Sequence, residues 1–254
     1  VLNGQISGTK QDSSVVEICT QLARRGYVAA SVTYRTGWNP LATTQPERAL
    51  GLIQAAYRGV QDGRNAVRYF RADAENANQY NIDTERISVF GVGTGGYLTL
   101  ALATLSSYQE IITTTNSPGK FLLDTDMDGV PDTPMVIEAF HGDINGEVLT
   151  VTPADGSSVP FGLPPSDTTN YVNFAGISSD IDLCINIGGA LGDISWMSDN
   201  SVPIISVQSP FDIFAPYDDA VLIVPTTGDP IVQVQGAQQV GMTQEASGIN
   251  QMWK

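Results

Sequence analysis

Basic residues are the first scarcity in this sequence. Twelve lysines and arginines stand against 27 aspartates and glutamates, a net charge of −15 over 254 residues. A surface of that sign repels phosphate backbones, which excludes nucleic acid as a partner. It suits a soluble protein, secreted or exposed at a cell surface, that binds cations; acidity in the service of solubility alone explains it equally well. Long apolar runs are missing too, and none approaches the roughly 20 residues of a membrane-spanning helix. There are two cysteines, Cys19 on a helical pattern and Cys184 on a strand pattern. Two buried thiols are the plain expectation, since a disulfide needs the Cα atoms within about 7 Å and sequence does not show that. One histidine, His141, serves the whole chain. Neither an internal repeat nor a low-complexity tract is present.

What remains is ordinary globular material, 42% hydrophobic, in a chain long enough for one large domain with a sizeable core. Val15–Arg25 carries apolar residues at helical spacing and stops at Gly26. Tyr27–Tyr34 is β-rich and reads as a buried strand. After a loop at 35–45, Pro46–Ala72 is helical, with proline suited to the first turn. Asn81-Ile-Asp83 leads into a short apolar strand, Ile87–Phe90, a glycine-rich turn, Gly91–Gly96, and a helix, Tyr97–Leu105. Strand, helix, strand, helix in this order predicts a parallel sheet with crossover helices. Residues 107–175 break the rhythm, rich in Thr, Asp, Gly and Pro, with β-like pieces at Met135–Phe140 and Glu147–Val151; they read as a lid-like insertion over the sheet. Strands resume at Ile181–Ile187 and Pro203–Val207, and Gln233–Ser247 reads as a closing helix weakened by Gly236 and Gly241. The opening Val1-Leu2-Asn3-Gly4 looks like a strand cut through, and Trp253-Lys254 closely follows a helix, so both natural ends are expected to lie outside this sequence.

The turn at Gly91–Gly96 is the most informative stretch. In the G-x-S-x-G elbow a serine sits on a strained strand-to-helix turn, with glycines two before and two after it. Here the glycines are Gly91 and Gly95, and the serine position is Gly93. Sliding the register to Thr94 places Val92 where the turn needs a small residue.

These segments together resemble secreted bacterial carboxylesterase or lipase-like α/β-hydrolases over most of the chain outside the insertion. The resemblance is carried by Leu22–Arg35 (LARRGYVAASVTYR), Asp62–Phe70, Asn81–Arg86 with the elbow, and Val202–Tyr217 (VPIISVQSPFDIFAPY). It implies an α/β-hydrolase fold, mostly parallel sheet flanked by helices, as a single domain over 1–254; a calcium-binding insertion is expected in addition, from the residues at 124–132. In that family a serine attacks, a histidine takes its proton, a carboxylate orients the histidine and backbone amides hold the oxyanion. Carried over position by position, the serine falls on Gly93, the acid on Asp212, and the histidine beyond Lys254. The family's His-Gly-Gly oxyanion loop has no counterpart in Val1–Gln5, and a His-Gly pair ahead of the acid is replaced by Gln208-Ser209. His141 matches no family position, and a lone histidine is more often structural or exposed than catalytic.

The second chemical signal is Asp124-Thr-Asp-Met-Asp-Gly-Val-Pro-Asp132, inside the insertion. Carboxylates at alternate positions, with a glycine for the sharp turn, suit a calcium ion that takes six to eight oxygens. The expected ligands are Asp124, Asp126, Asp128, the Val130 carbonyl and Asp132, directly or through water; Glu138 and Asp143 are candidates to complete the shell. An EF-hand needs a glutamate at its twelfth position, which is Met135 here, so the loop is similar instead to those of thrombospondin-type repeats. Its expected role is structural, and the other reading is an acidic turn that binds nothing. Gly188–Gly192 lacks the lysine of a phosphate loop and reads as a strand-end turn. Trp38, Trp196 and Trp253 are expected to pack rather than stack on sugars.

The sequence therefore points first to a non-catalytic hydrolase-fold protein, secreted or at the cell surface. It would bind or support other proteins in a larger assembly, with no membrane span and calcium as a structural cofactor. An esterase with Gly93 in place of its nucleophile, or with Thr94 as an unorthodox one, is the first alternative. A carbohydrate-binding protein using the old cleft is the second.

Overall fold

The computed structural model describes residues 8–147, 174–198 and 201–248. Its centre is a three-stranded parallel sheet in the order β1 (Ser88–Val92), β4 (Leu183–Ile187), β5 (Ile204–Val207). The strands are in register through Phe90, Ile185 and Ile205, and again through Val92, Ile187 and Val207. Alternation sends Gly91, Cys184, Asn186 and Ile204 inward, all buried. The opposite face carries Phe90, Val92, Ile205 and Val207, all exposed.

Helix α2 (Gln45–Glu75) is the longest element among the described residues. Its start is a reciprocal cap. The Thr44 hydroxyl accepts the Glu47 amide at 3.4 Å, the Glu47 carboxylate accepts the Thr44 amide at 3.0 Å, and Pro46 sits in the first turn. At 1.5 Å per residue this helix runs about 46 Å. It meets α3 (Thr94–Thr104) closely because Gly59 and Gly63 carry no Cβ: one at either place would lie 2.7 Å from Leu98 Cδ1 or 2.8 Å from Leu102 Cδ1. The same helix buries Arg48, Arg58, Arg64 and Arg68 in a chain poor in bases. Its one buried carboxylate, Asp62, pairs with Arg35 at 2.8 Å and accepts the Arg35 amide at 2.6 Å. That bond pins the loop before α2 to the middle of the helix.

Helix α1 (Ser13–Ala23) forms where the spacing predicts it but buries no residue fully. Four further elements lie in the insertion: α4 (Tyr108–Ile112), the antiparallel pair β2 (Leu122–Leu123) and β3 (Thr133–Pro134), and the single turn α5 (Glu138–His141). A second antiparallel pair, β6 (Asp219–Ile223) and β7 (Pro230–Gln235), precedes α6 (Ala237–Ser247).

Three expectations are corrected. Tyr27–Tyr34 is not a strand: no ladder reaches it among the described residues, and Tyr27, Val28 and Val32 are exposed. A strand is made by its neighbour's hydrogen bonds, which its own composition does not supply. Met135–Phe140 is not a β piece, because the pairing ends at Pro134 and the chain turns into α5, closed by Gly142 at φ +77°. Gln233–Gln235 belongs to β7, and the closing helix starts only after Gly236. The other expected piece, Glu147–Val151, lies almost wholly outside the described residues, as does Trp253.

Candidate functional site

The elbow forms at the end of β1. Gly93 holds φ +57°, ψ −118°, a conformation hostile to a side chain, and passes the chain directly into α3. Its amide donates to the Ile187 carbonyl at 2.8 Å, which ties the apex to the central strand. A Cβ built at Gly91 would run into the Gly95 backbone, and one at Gly96 into Asn186 and Gly189. Both positions therefore require glycine on steric grounds. At Gly93 nothing lies within 4 Å of a built Cβ. Asn186, fully buried, clasps the far side: its Oδ1 accepts the Gly189 amide at 2.9 Å and its Nδ2 donates to the Gly189 carbonyl at 3.1 Å.

The chemistry around the apex is sparse. Thr94 is the first residue of α3, and its side chain hydrogen-bonds Tyr34, a phenol whose pKa burial raises. Asp212 follows β5 on a loop, with Oδ1 accepting the amides of Phe214 at 2.7 Å and Ala215 at 3.2 Å. Its Oδ2 would lie 3.1 Å from a Cβ built at Gly188, so the carboxylate stands over the turn that ends β4. Tyr97, one turn into α3, donates its hydroxyl to the Phe214 carbonyl at 3.0 Å; burial raises its pKa and the Asp212 charge adds to the effect. The structure thus gathers Gly93, Thr94, Tyr97 and Asp212 at the ends of β1, β4 and β5.

His141 is elsewhere. It closes α5, with Nδ1 at 3.0 Å from the Ile137 amide and 2.9 Å from its carbonyl, and it meets Tyr57 edge-on at 6.3 Å between ring centroids. Burial depresses its pKa, the Ile137 backbone bond opposes that, and the Arg58 charge adds a further lowering. None of its contacts reaches the elbow. Gln208 is a buttress: its Nε2 donates to the carbonyls of Ala215 and Pro216, and its Oε1 accepts the Ala237 amide at 2.9 Å.

The acidic loop joins β2 to β3. Asp124, Asp126 and Asp128 are exposed and bring one oxygen each within 4.8 Å of one another. They also shape the loop. Asp124 accepts the amides of Asp128 (3.1 Å) and Gly129 (2.9 Å), and Asp128 accepts that of Val130 (2.8 Å). Met127 and Gly129 both take positive φ, +62° and +91°. Asp132 falls outside the three-carboxylate group; its Oδ1 accepts the Thr133 hydroxyl at 3.1 Å. Val130 contributes an amide to the loop and exposes its side chain. Three of the four aspartates expected as ligands are therefore gathered. Glu138 and Asp143 instead line a separate polar cleft with Tyr108 and Asn145.

One family model, BD-FAE, matches residues 3–132, just over half of the chain. The chain belongs to the BD-FAE family. This is an α/β-hydrolase-like esterase family, in keeping with the parallel sheet and its flanking helices. No curated protein and no solved structure matches the chain. The BD-FAE match takes in the elbow and α3 and ends at Asp132, while Asp212 lies beyond it. Both cysteines are free thiols, and burial pushes Cys184 up to about 12. Trp38 and Trp196 pack as expected, donating to the carbonyls of Arg48 and Glu110, both at 3.0 Å. Among the described residues no helix is long and apolar enough to cross a membrane.

Sequence reasoning missed two features of this BD-FAE chain. Tyr34, which hydrogen-bonds Thr94, and Tyr97, which lies near Asp212, are not singled out as site residues by the spacing alone. The β6–β7 hairpin carries a readable signal, the alternation Val232-Gln233-Val234-Gln235 after the turn residues Pro225 and Gly228.

Proposed function

We propose that this chain is a non-catalytic member of the BD-FAE family, secreted or at the cell surface, that acts by binding as a subunit of a larger assembly. One observation carries the reading: Gly93 occupies the apex of the elbow, where the esterase reaction needs an attacking side chain. The surroundings agree with it. The Asp212 oxygen that caps Phe214 and Ala215 is engaged by backbone, the only histidine is in the insertion, and Gln208 supports a loop. Calcium held by Asp124, Asp126 and Asp128 would order the β2–β3 loop, because three close carboxylates repel one another without a cation. Millimolar extracellular calcium and the net charge of −15 both suit a location outside the cell.

A second reading, an esterase from which one side chain has been removed, is favoured by the open space at Gly93. Hydrolysis of 4-nitrophenyl acetate by the chain as given and by Gly93→Ser, both with calcium, separates the two. The expected result is background rate for both proteins, with folding checked by circular dichroism. Turnover by the unaltered chain overturns the proposal and directs attention to Thr94. Turnover by Gly93→Ser alone establishes the second reading.

A further inference from the structure

We infer that the open face of the parallel sheet is the docking surface for a basic amphipathic helix of a partner protein. The strands β1, β4 and β5 bring Phe90, Ile185 and Ile205 to this face in one row and Val92, Ile187 and Val207 in the next. The outer four are exposed, from 37% at Phe90 to 58% at Val207. Helix α3 covers the opposite face, where a Cβ at Gly96 would meet the Asn186 side chain and where Thr99 hydrogen-bonds Cys184. The loop after β5 stands over the end of β4 through Asp212, and it adds Phe211, 90% exposed, and Ile213, 65% exposed. Single exposed apolar residues are ordinary on a protein surface, whereas a contiguous set of them marks an interaction site.

Shape and charge name the occupant. Three strands about 4.8 Å apart make a strip about 10 Å wide, which is about the diameter of one α-helix. A helix docks on such a strip through apolar residues at i, i+3, i+4 and i+7. Its flanks then meet carboxylates. Asp180 and Asp182 stand exposed ahead of β4, and Asp218 and Asp219 stand exposed after the loop. Between Lys120 and Lys254 the sequence holds 18 aspartates and glutamates and neither lysine nor arginine. Arg86, just ahead of β1, is already paired with Asp83 at 3.3 Å. A second copy of this chain would set the same carboxylates against these, and an anionic membrane surface would be repelled as well. A helix with an apolar stripe and lysine or arginine flanks answers both the face and its rim. The surface rests on the reading of the chain as a binding subunit and gives that role its contact.

The test uses the full chain and three labelled peptides of about five helical turns. One carries leucines on one face and lysines on its flanks, one has glutamate in place of lysine, and one keeps the lysines but scatters the leucines. Fluorescence anisotropy at low salt should place the first at least about tenfold tighter than either of the others, since a buried anchor and a complementary rim each act on that scale. Amide shifts caused by the first should centre on Val92, Val207 and Ile213. Phe211→Ser/Ile213→Ser, at two exposed loop positions, should weaken its binding by about tenfold. Equal binding of the scattered peptide means undirected attraction and overturns the inference. So do shifts centred elsewhere, an unchanged affinity in the double variant, or self-association of the chain across this face in sedimentation. Ester hydrolysis is read in parallel. Failure of the first peptide with turnover at background sinks the docking surface and leaves the non-catalytic reading standing, whereas turnover by the unaltered chain sinks that reading itself.

Discussion

The elbow at Gly93 and the acidic loop at Asp124–Asp132 are both tight turns with backbone at positive φ, and they are held by opposite means. The elbow is shaped by absent side chains: Gly91, Gly96 and Gly189 let a helix, a strand and a turn touch through their backbones. The loop is shaped by present ones, with carboxylates folding back onto amides two to five residues ahead. The groups that make the elbow a turn are therefore not the group that would make it reactive. The groups that make the loop a turn are the same ones offered to a cation. An elbow can lose its chemistry and keep its form; the loop cannot lose its carboxylates without losing both.

The largest effect that tests this contrast is expected from Gly91→Ala. Its Cβ collides with Gly95 backbone that cannot move without unseating α3, so unfolding free energy should fall by about 3 kcal/mol or more. Gly93→Ala meets no atom and bears only the strain of its φ, about 1–3 kcal/mol, so urea unfolding should rank it well above Gly91→Ala. Equal losses would break the claim that packing, rather than the dihedral, holds the elbow.

A smaller effect belongs to the loop. On the proposed reading, calcium at a hundred times its dissociation constant would stabilise the folded chain by about 2.7 kcal/mol. For a domain of this size that is roughly 2–4 °C of melting temperature per kcal/mol. Chelation should reverse the shift in the unaltered chain and do nothing in Asp124→Asn/Asp128→Asn. A shift of the same size in that variant would place the cation elsewhere.

The smallest is a pH effect at the end of α5. His141 titrates below its ordinary value when folded, so the unfolded chain binds the extra proton first. Its contribution is complete above pH ~6.5 and is lost as pH falls from there through the folded pKa. With one histidine in the chain, imidazole proton shifts give the folded value directly, and His141→Gln should flatten this slope while leaving the stability contributed by the elbow unchanged.

How much of this could be read from residues follows the same division. The elbow, α2 and the parallel strands β4 and β5 are legible because glycine spacing, helical periodicity behind a first-turn proline and continuous apolar runs are local signals. The strand expected at Tyr27–Tyr34 does not form because pairing is decided by a neighbour, and the helix expected from Gln233 overlaps β7 because Gly236 reads as a weak point inside a helix while it is the cap before α6. At the site, the spacing of the four aspartates is visible, yet three of them converge, since Asp132 turns to Thr133.

The open apex at Gly93 also has a meaning in the language of codons. Glycine written GGU or GGC becomes serine by a single base change. The backbone there already stands in the conformation a serine would have to endure, and the space its hydroxymethyl group would enter is clear. A library of single-nucleotide variants screened on an ester-clearing plate would sample that change in its first round, with no second mutation needed to make room.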